Sequence, residues 1–326
     1  MVPSKLLPSL LCLVFSFLAA CQPAQTEKPK GETAEVQPVT TSLTGQDLYA
    51  PELSDAARTR LEGNLDSAYR NYVADSIREE NIIWYGRRLA YLSRYPEAIA
   101  VYTRGLEQLP ESFRLLRHRG HRWISMRDFA RAEADLSRAA ELAVGAPLEI
   151  EPDGIPNSLN QPLSNTHFNI YYHLGLARYL QGKWSEALEA YEQCMQYSDN
   201  PDLKVATLDW WYMTLRRAGQ AAKADSVLAL ADTSWQIVEN DAYFKRLKMY
   251  KGFSMPESLL EIADEEADSA LAIATQGYGL ANFYRVEGQQ EEARRLTQKI
   301  LSGTHWAAFG YIAAEADLHR DQTSEN

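Results

Sequence analysis

This sequence predicts an all-α, right-handed solenoid of about five helix pairs, one degenerate, with a capping helix at each end. Three observations carry the prediction. Gly86, Gly120 and Gly175 each lie twelve residues ahead of an alanine, at Ala98, Ala132 and Ala187. The first two glycine–alanine pairs are 34 residues apart, the length of two helices and a tight turn. From about Leu53 onward, apolar residues recur at three- and four-residue steps, the period of an amphipathic helix. Two antiparallel helices approach closely only where a side chain on each is small, and large side chains then fill the volume beside the crossing.

Residues 1–20 form an export segment. Lys5 and the amino terminus are followed by an apolar run from Leu6 to Ala20, too short to span a bilayer as a mature helix. The run ends in Leu18-Ala19-Ala20-Cys21, which resembles the bacterial lipobox. That resemblance implies cleavage before Cys21 and lipidation of Cys21. Gln22 after the cysteine resembles an outer-membrane sorting preference. Residues 21–46, rich in Gln, Pro, Thr, Glu and Lys and without an aromatic residue, read as a disordered tether. An N-terminal capping region follows over 47–78, where Leu61, Leu65, Tyr69, Tyr72, Val73 and Ile77 make one apolar stripe.

The solenoid is expected over 79–307. Its first pair holds Gly86, Tyr95, Ala98, Tyr102 and Pro110. The second holds Gly120, Trp123, Phe129, Ala132, Leu136 and Ala139. The third holds Leu174, Gly175, Trp184, Ala187, Tyr191 and Cys194. Ala224 anchors a fourth pair, although Tyr212 stands where a glycine is expected, and Ala281 and Ala293 anchor a last one. A degenerate pair is expected at 239–273, with helices over 240–250 and 256–272 and Ser258 at the small position. Ala132 and Ala187 are 55 residues apart, so an insertion occupies 147–167, rich in turn residues such as Pro152-Asp153-Gly154. A capping helix and polar tail close the chain over 308–326.

The pattern of small and aromatic positions resembles the tetratricopeptide repeat (TPR), and the resemblance covers about 79–307. It implies a surface for holding another protein. The runs Glu151–Asn157, Thr275–Gly279 and Trp306–Tyr311 also resemble those of an uncharacterised group of bacterial TPR proteins, which implies no activity. In TPR arrays the first helix of each pair lines the concave groove. Here it would present Trp84, Arg87, Arg114, Arg117, His118, His121, Tyr172, His173 and Trp210. Arginine forks take carboxylates and aromatics supply rigid contact area, so the groove is expected to bind a protein or peptide of the cell envelope, an acidic one fitting the arginines. Chaperone-binding TPR domains grip acidic tails with a lysine–asparagine clamp. Ile83 and Arg87 occupy two of its places, so that particular clamp is not expected.

Other classes find less in the sequence. There is no Gly-x-Ser-x-Gly elbow, no His-Glu-x-x-His and no phosphate-cradling loop, and Gly277-Tyr278-Gly279 follows no strand. The expectation is a non-enzymatic protein without cofactor or metal, although His118, His121 and His173 are spaced to approach one another. An enzyme with a site near His118, His121 and Glu151 or Asp153 is the weaker alternative, and a glycan-uptake lipoprotein another. Loss of Lys5 with the export segment leaves 32 Lys plus Arg against 44 Asp plus Glu, a net charge of −12. That excludes a global nucleic-acid footprint and leaves the Cys21 lipid as the only membrane contact. Of the three cysteines, Cys12 leaves with the export segment and Cys194 stands alone, so no disulfide framework is expected.

Overall fold

A computed structural model describes residues 37–154, 157–261 and 269–324. The chain divides after residue 36, and the unit that follows is the one described. The export segment 1–20, Cys21 and the tether up to residue 36 lie outside the described residues.

The described chain begins with a short hairpin, β1 (Thr40–Thr41) and β2 (Asp47–Leu48), in which Thr40 pairs with Leu48. Its helices are α1 (Asp55–Ala74), α2 (Glu79–Tyr91), α3 (Tyr95–Gln108), α4 (Phe113–Ser125), α5 (Phe129–Leu142), α6 (Thr166–Leu180) and α7 (Trp184–Gln196). There follow α8 (Pro201–Arg217), α9 (Ala221–Ala229), α10 (Asp241–Tyr250), α11 (Ser269–Val286), α12 (Gln290–Leu301) and α13 (Phe309–Ser324). Ser54, Ser112, Asp128, Asn165 and Asn200 start α1, α4, α5, α6 and α8, each side chain accepting a backbone N–H three residues on. The pairs α2/α3, α4/α5, α6/α7, α8/α9 and α11/α12 pack as hairpins, and α1 covers α2. The fold is an all-α solenoid.

The glycine–alanine spacing marks the helix crossings. A methyl on Gly86 would lie 2.3 Å from the Tyr102 ring, on Gly120 2.7 Å from Leu136, and on Gly175 2.6 Å from Tyr191. Each facing residue stands four positions after the alanine of its pair, so a bare glycine backbone seats it. At the fourth pair Tyr212 replaces the glycine and stacks on Tyr250, with centroids 4.5 Å apart.

The structure changes four expectations. The degenerate repeat supplies its first helix, α10, but the expected 256–272 helix opens as a 3-10 turn over Pro256–Leu260, its residues 262–268 lie outside the described residues, and Ser269 onward belongs to α11 of the next pair. Ser258 is half-buried and its hydroxyl donates to Met255 O at 2.6 Å, a local bond that competes with helix. The tether expected to run to residue 46 ends sooner. The hairpin docks on the far end of the chain, with Leu43 N–H donating to Glu315 at 2.7 Å and Trp306 Nε1–H to Tyr49 O at 2.6 Å. The insertion is closed at its base, where Glu151 N donates to Ser164 O and Thr166 N to Glu149 O.

Finally, α13 does more than cap. It covers α11 and α12 as a capping helix should, and it also reaches α6. Eight consecutive residues, Gly310 to Asp317, are buried, so two turns of this helix face no solvent on any side. Gly310 allows the approach: a methyl there would lie 2.1 Å from Ala274 O. Asp317 pairs with Arg217 through two 2.9 Å bonds and also with Arg320, Arg320 donates to Leu180 O, and Arg285 forks onto Asp321. The part of the concave side lined by α6 and α11 is therefore covered by the chain's own C-terminal helix. Among the described residues, no helix is long and apolar enough to cross a membrane.

Candidate binding face

The helix α4 carries Arg117, His118, His121 and Arg122 on one side, because steps of three and four residues return to neighbouring positions on a 3.6-residue turn. Helix α2 brings Arg87, Ala90 and Tyr91 alongside, α3 supplies Tyr102 and the insertion supplies Glu151. These residues line one cavity of ≈ 120 Å³. Four expected groove residues thus come together: Arg87, Arg117, His118 and His121.

Within the cavity Arg117 is the most enclosed cation, 7% exposed. It pairs with Glu151 at 3.1 Å and bonds His118 Nδ1 at 2.9 Å, while its Nε–H meets no acceptor. Arg87 donates to Pro152 O at 2.7 Å and to the Tyr91 hydroxyl at 3.2 Å. Arg122 lies 5.4 Å over the Tyr95 ring, and no carboxylate among the described residues pairs with it or with Arg87. His118 is stacked on Tyr102 with centroids 5.8 Å apart. Burial first, and then Arg117, hold its pKa well below the usual value, so it is neutral. Burial and then Arg122 do the same to His121.

The remaining expected residues do not face an open groove. Trp210 is fully buried, stacked on Tyr278 at 5.9 Å. It fills the core because α11 and α13 close over α8. Tyr172 is buried and donates to the Tyr243 hydroxyl at 3.1 Å. His173 donates from Nδ1 to Asn169 O at 2.5 Å and meets His121 with centroids 4.3 Å apart. Phe309 from α13 closes over both rings, at 5.4 and 5.5 Å. Trp84 is half-buried beneath Arg87 and Arg88, and its Nε1–H donates to Glu80 at 2.7 Å. Arg114 is neutralised by Glu79 and Glu80, both at 2.8 Å, with Glu149 at 4.0 Å. The cationic character therefore concentrates in the cavity between α2 and α4. Among the described residues, no group of three or more His, Cys, Asp or Glu is placed to hold a metal ion.

Sequence reasoning missed Arg122, Tyr91 and the part played by the insertion. Arg122 was legible, being four residues past His118. The loop was not, since nothing local says where it lands. Its Glu151-Pro152-Asp153-Gly154 run lies across the α2–α4 face: Arg88 donates to Gly154 O at 3.1 Å, and Asn169 to Glu151 at 3.0 Å. Gly154 is required there, since a methyl would meet the Tyr91 hydroxyl at 1.5 Å.

Residues 168–201 match the family model of the tetratricopeptide repeat, over α6, α7 and the start of α8. The same helix-pair geometry recurs through the array. Residues 168–201 thus carry one tetratricopeptide repeat. Among solved structures, the crystal structure of YrrB, titled as a TPR protein with an unusual peptide-binding site, is 13% identical to it. That match covers 79% of this chain and 99% of YrrB with a TM-score of 0.41, too slight a likeness to transfer a site. No curated protein matches the chain.

Proposed function

We propose that this repeat protein is a non-catalytic adaptor of the bacterial cell envelope that recruits an acidic segment of another envelope protein at the α2–α4 face. One observation carries the reading: Arg87, Arg117 and Arg122 line one cavity, and the chain's own acidic insertion already docks beside it. Guanidinium forks in a partly desolvated site pair with carboxylates more strongly than they do on an open surface. With α13 over part of the concave side, this face, rather than the whole groove, is the place where a partner's carboxylates would dock. A glycan reading fits less well, since Trp84 is covered by two guanidinium groups and Trp210 is in the core.

Anchoring would come from a lipid on Cys21, placing the domain at a membrane, most simply the outer membrane, with its partner in the same compartment. Two experiments test the parts separately. Palmitate labelling should mark the wild type and not Cys21→Ser; an unlabelled wild type removes the anchor. Crosslinking and pull-down from native envelopes should recover one dominant protein with the wild type and lose it with Arg87→Glu/Arg122→Glu. Identical recovery by both would remove the α2–α4 face as the docking surface.

A further inference from the structure

The geometry points to a built oxyanion site in the α2–α4 cavity, for a compact phosphate-class dianion held by Arg87, Arg117 and Arg122 beside Glu151. This deepens the reading above by naming the group recognised, and rests on it only for the biological source of that group.

Charge balance is the first reason. Three guanidinium groups line the cavity and one carboxylate, Glu151, faces them, which leaves two positive charges without a counter-charge in the lining. Both histidines there are held neutral by burial and by these cations, so they add no charge, and His118, whose Nδ1 accepts from Arg117, is left with its Nε2–H to offer. Asp153 lies within the electrostatic reach of Arg87, yet forms no ion pair with it among the described residues.

Polar satisfaction is the second reason. Arg117 is 93% buried by its 7% exposure, and its Nε–H has no acceptor among the described residues. A buried donor left unsatisfied costs about 1–3 kcal/mol, and an anion oxygen in the cavity would supply the missing acceptor. Size and access agree. A volume of ≈ 120 Å³ accommodates a tetrahedral oxyanion but not a nucleotide. Arg87 and Arg122 are only half-buried, so the cavity has a mouth. The bond between Arg117 and His118 Nδ1 fixes the guanidinium plane and orients its free Nε–H.

The source of the dianion is either free phosphate or a phosphorylated side chain of a partner, and the test separates them. Purified protein is titrated with inorganic phosphate, with a short phosphoserine peptide and with its unphosphorylated form, against sodium chloride of equal ionic strength. Heat of binding and melting temperature are both read. Saturable binding of phosphate or of the phosphopeptide, absent with sodium chloride and the plain peptide, is the expected result, and whichever binds more tightly identifies the source. Arg122→Gln and Arg87→Gln should each weaken binding by about tenfold or more, as loss of a hydrogen bond to a charged group does. Glu151→Gln should tighten it about threefold or more by removing the competing carboxylate. Circular dichroism confirms that each variant is folded, and Arg122→Gln disturbs no ion pair. No binding beyond that of sodium chloride, or equal binding by Arg122→Gln and Arg87→Gln, overturns the site. Because no partner is present, that failure leaves the pull-down result standing on its own.

Discussion

Gly86, Gly120 and Gly175 show why single residues could be read so far in advance. The spacing to the alanine predicted a close crossing, and the crossing exists because Tyr102, Leu136 and Tyr191 occupy the space that a Cβ would take. Gly86→Ala should therefore force Tyr102 to move and cost about 1–3 kcal/mol, measured by urea unfolding; an unchanged midpoint would show that the ring relocates freely. Cys194 is fully buried, and burial pushes its thiol up to about 12 although Thr207 and Ser198 pull it back. It should not react with a thiol reagent in the native protein and should react once urea unfolds it. Rapid native labelling would contradict that burial. Arg127 could not be read this way. It sits in the left-handed region at φ 64, where the later pairs use Gly182, Gly219 and Gly288 and the first pair Ser93, and its side chain reaches Glu315 at 2.8 Å. Nothing near Arg127 in the sequence announces a partner 188 positions away.

At the scale of elements, helix existence was legible and helix role was not. The apolar stripe of α12, with Ala293, Leu296, Thr297 and Ile300 buried, marks an ordinary second helix of a pair. The C-terminal stretch, with apolar Trp306, Phe309, Ile312 and Ala313, read as a cap with one buried face. In the fold α13 is buried all round at Gly310–Asp317, so its acidic residues belong to the interior. Asp317 shows the energetics. Burial alone would raise its pKa, but Arg217, Arg320 and Arg285 outweigh burial and bring it to about 2, against 3.8 unperturbed. A folded-state value below the unfolded one stabilises above the unfolded pKa and is lost as the pH falls through the folded one. Stability should thus decline by about 2 kcal/mol between roughly pH 4 and pH 2 on this account. Asp317→Asn should abolish that part of the acid dependence and lower stability at neutral pH by about 3–5 kcal/mol, because Arg217 and Arg320 lose their counter-charge. Denaturant midpoints across pH check both.

The whole molecule behaves differently from an open repeat array. Open solenoids are held by neighbour contacts alone and can unfold from either end. Here the hairpin at Thr40–Leu48, the turn at Arg127 and the helix α13 meet through Leu43, Tyr49, Trp306 and Glu315, which closes the array on itself. Probes in α2 and in α12 should therefore report one shared unfolding transition. Glu315→Ala, which strands the buried Arg127 guanidinium, should lower stability by about 3–5 kcal/mol and pull the two transitions apart. Coincident transitions in that variant would mean that the closure does not couple the ends.

The sequence by itself determined the helix pairs, their crossings, the insertion and the positively charged face of α4. These follow from local periodicity, from small residues at fixed spacing and from charges four residues apart on one helix. Only the tertiary structure decided that part of the groove is covered, that Trp210 and Tyr172 are core, and that Glu151 faces Arg117. Those outcomes depend on the curvature accumulated over the whole array and on where an irregular loop comes to rest. Both are set by packing between residues far apart in the chain, which no local pattern encodes.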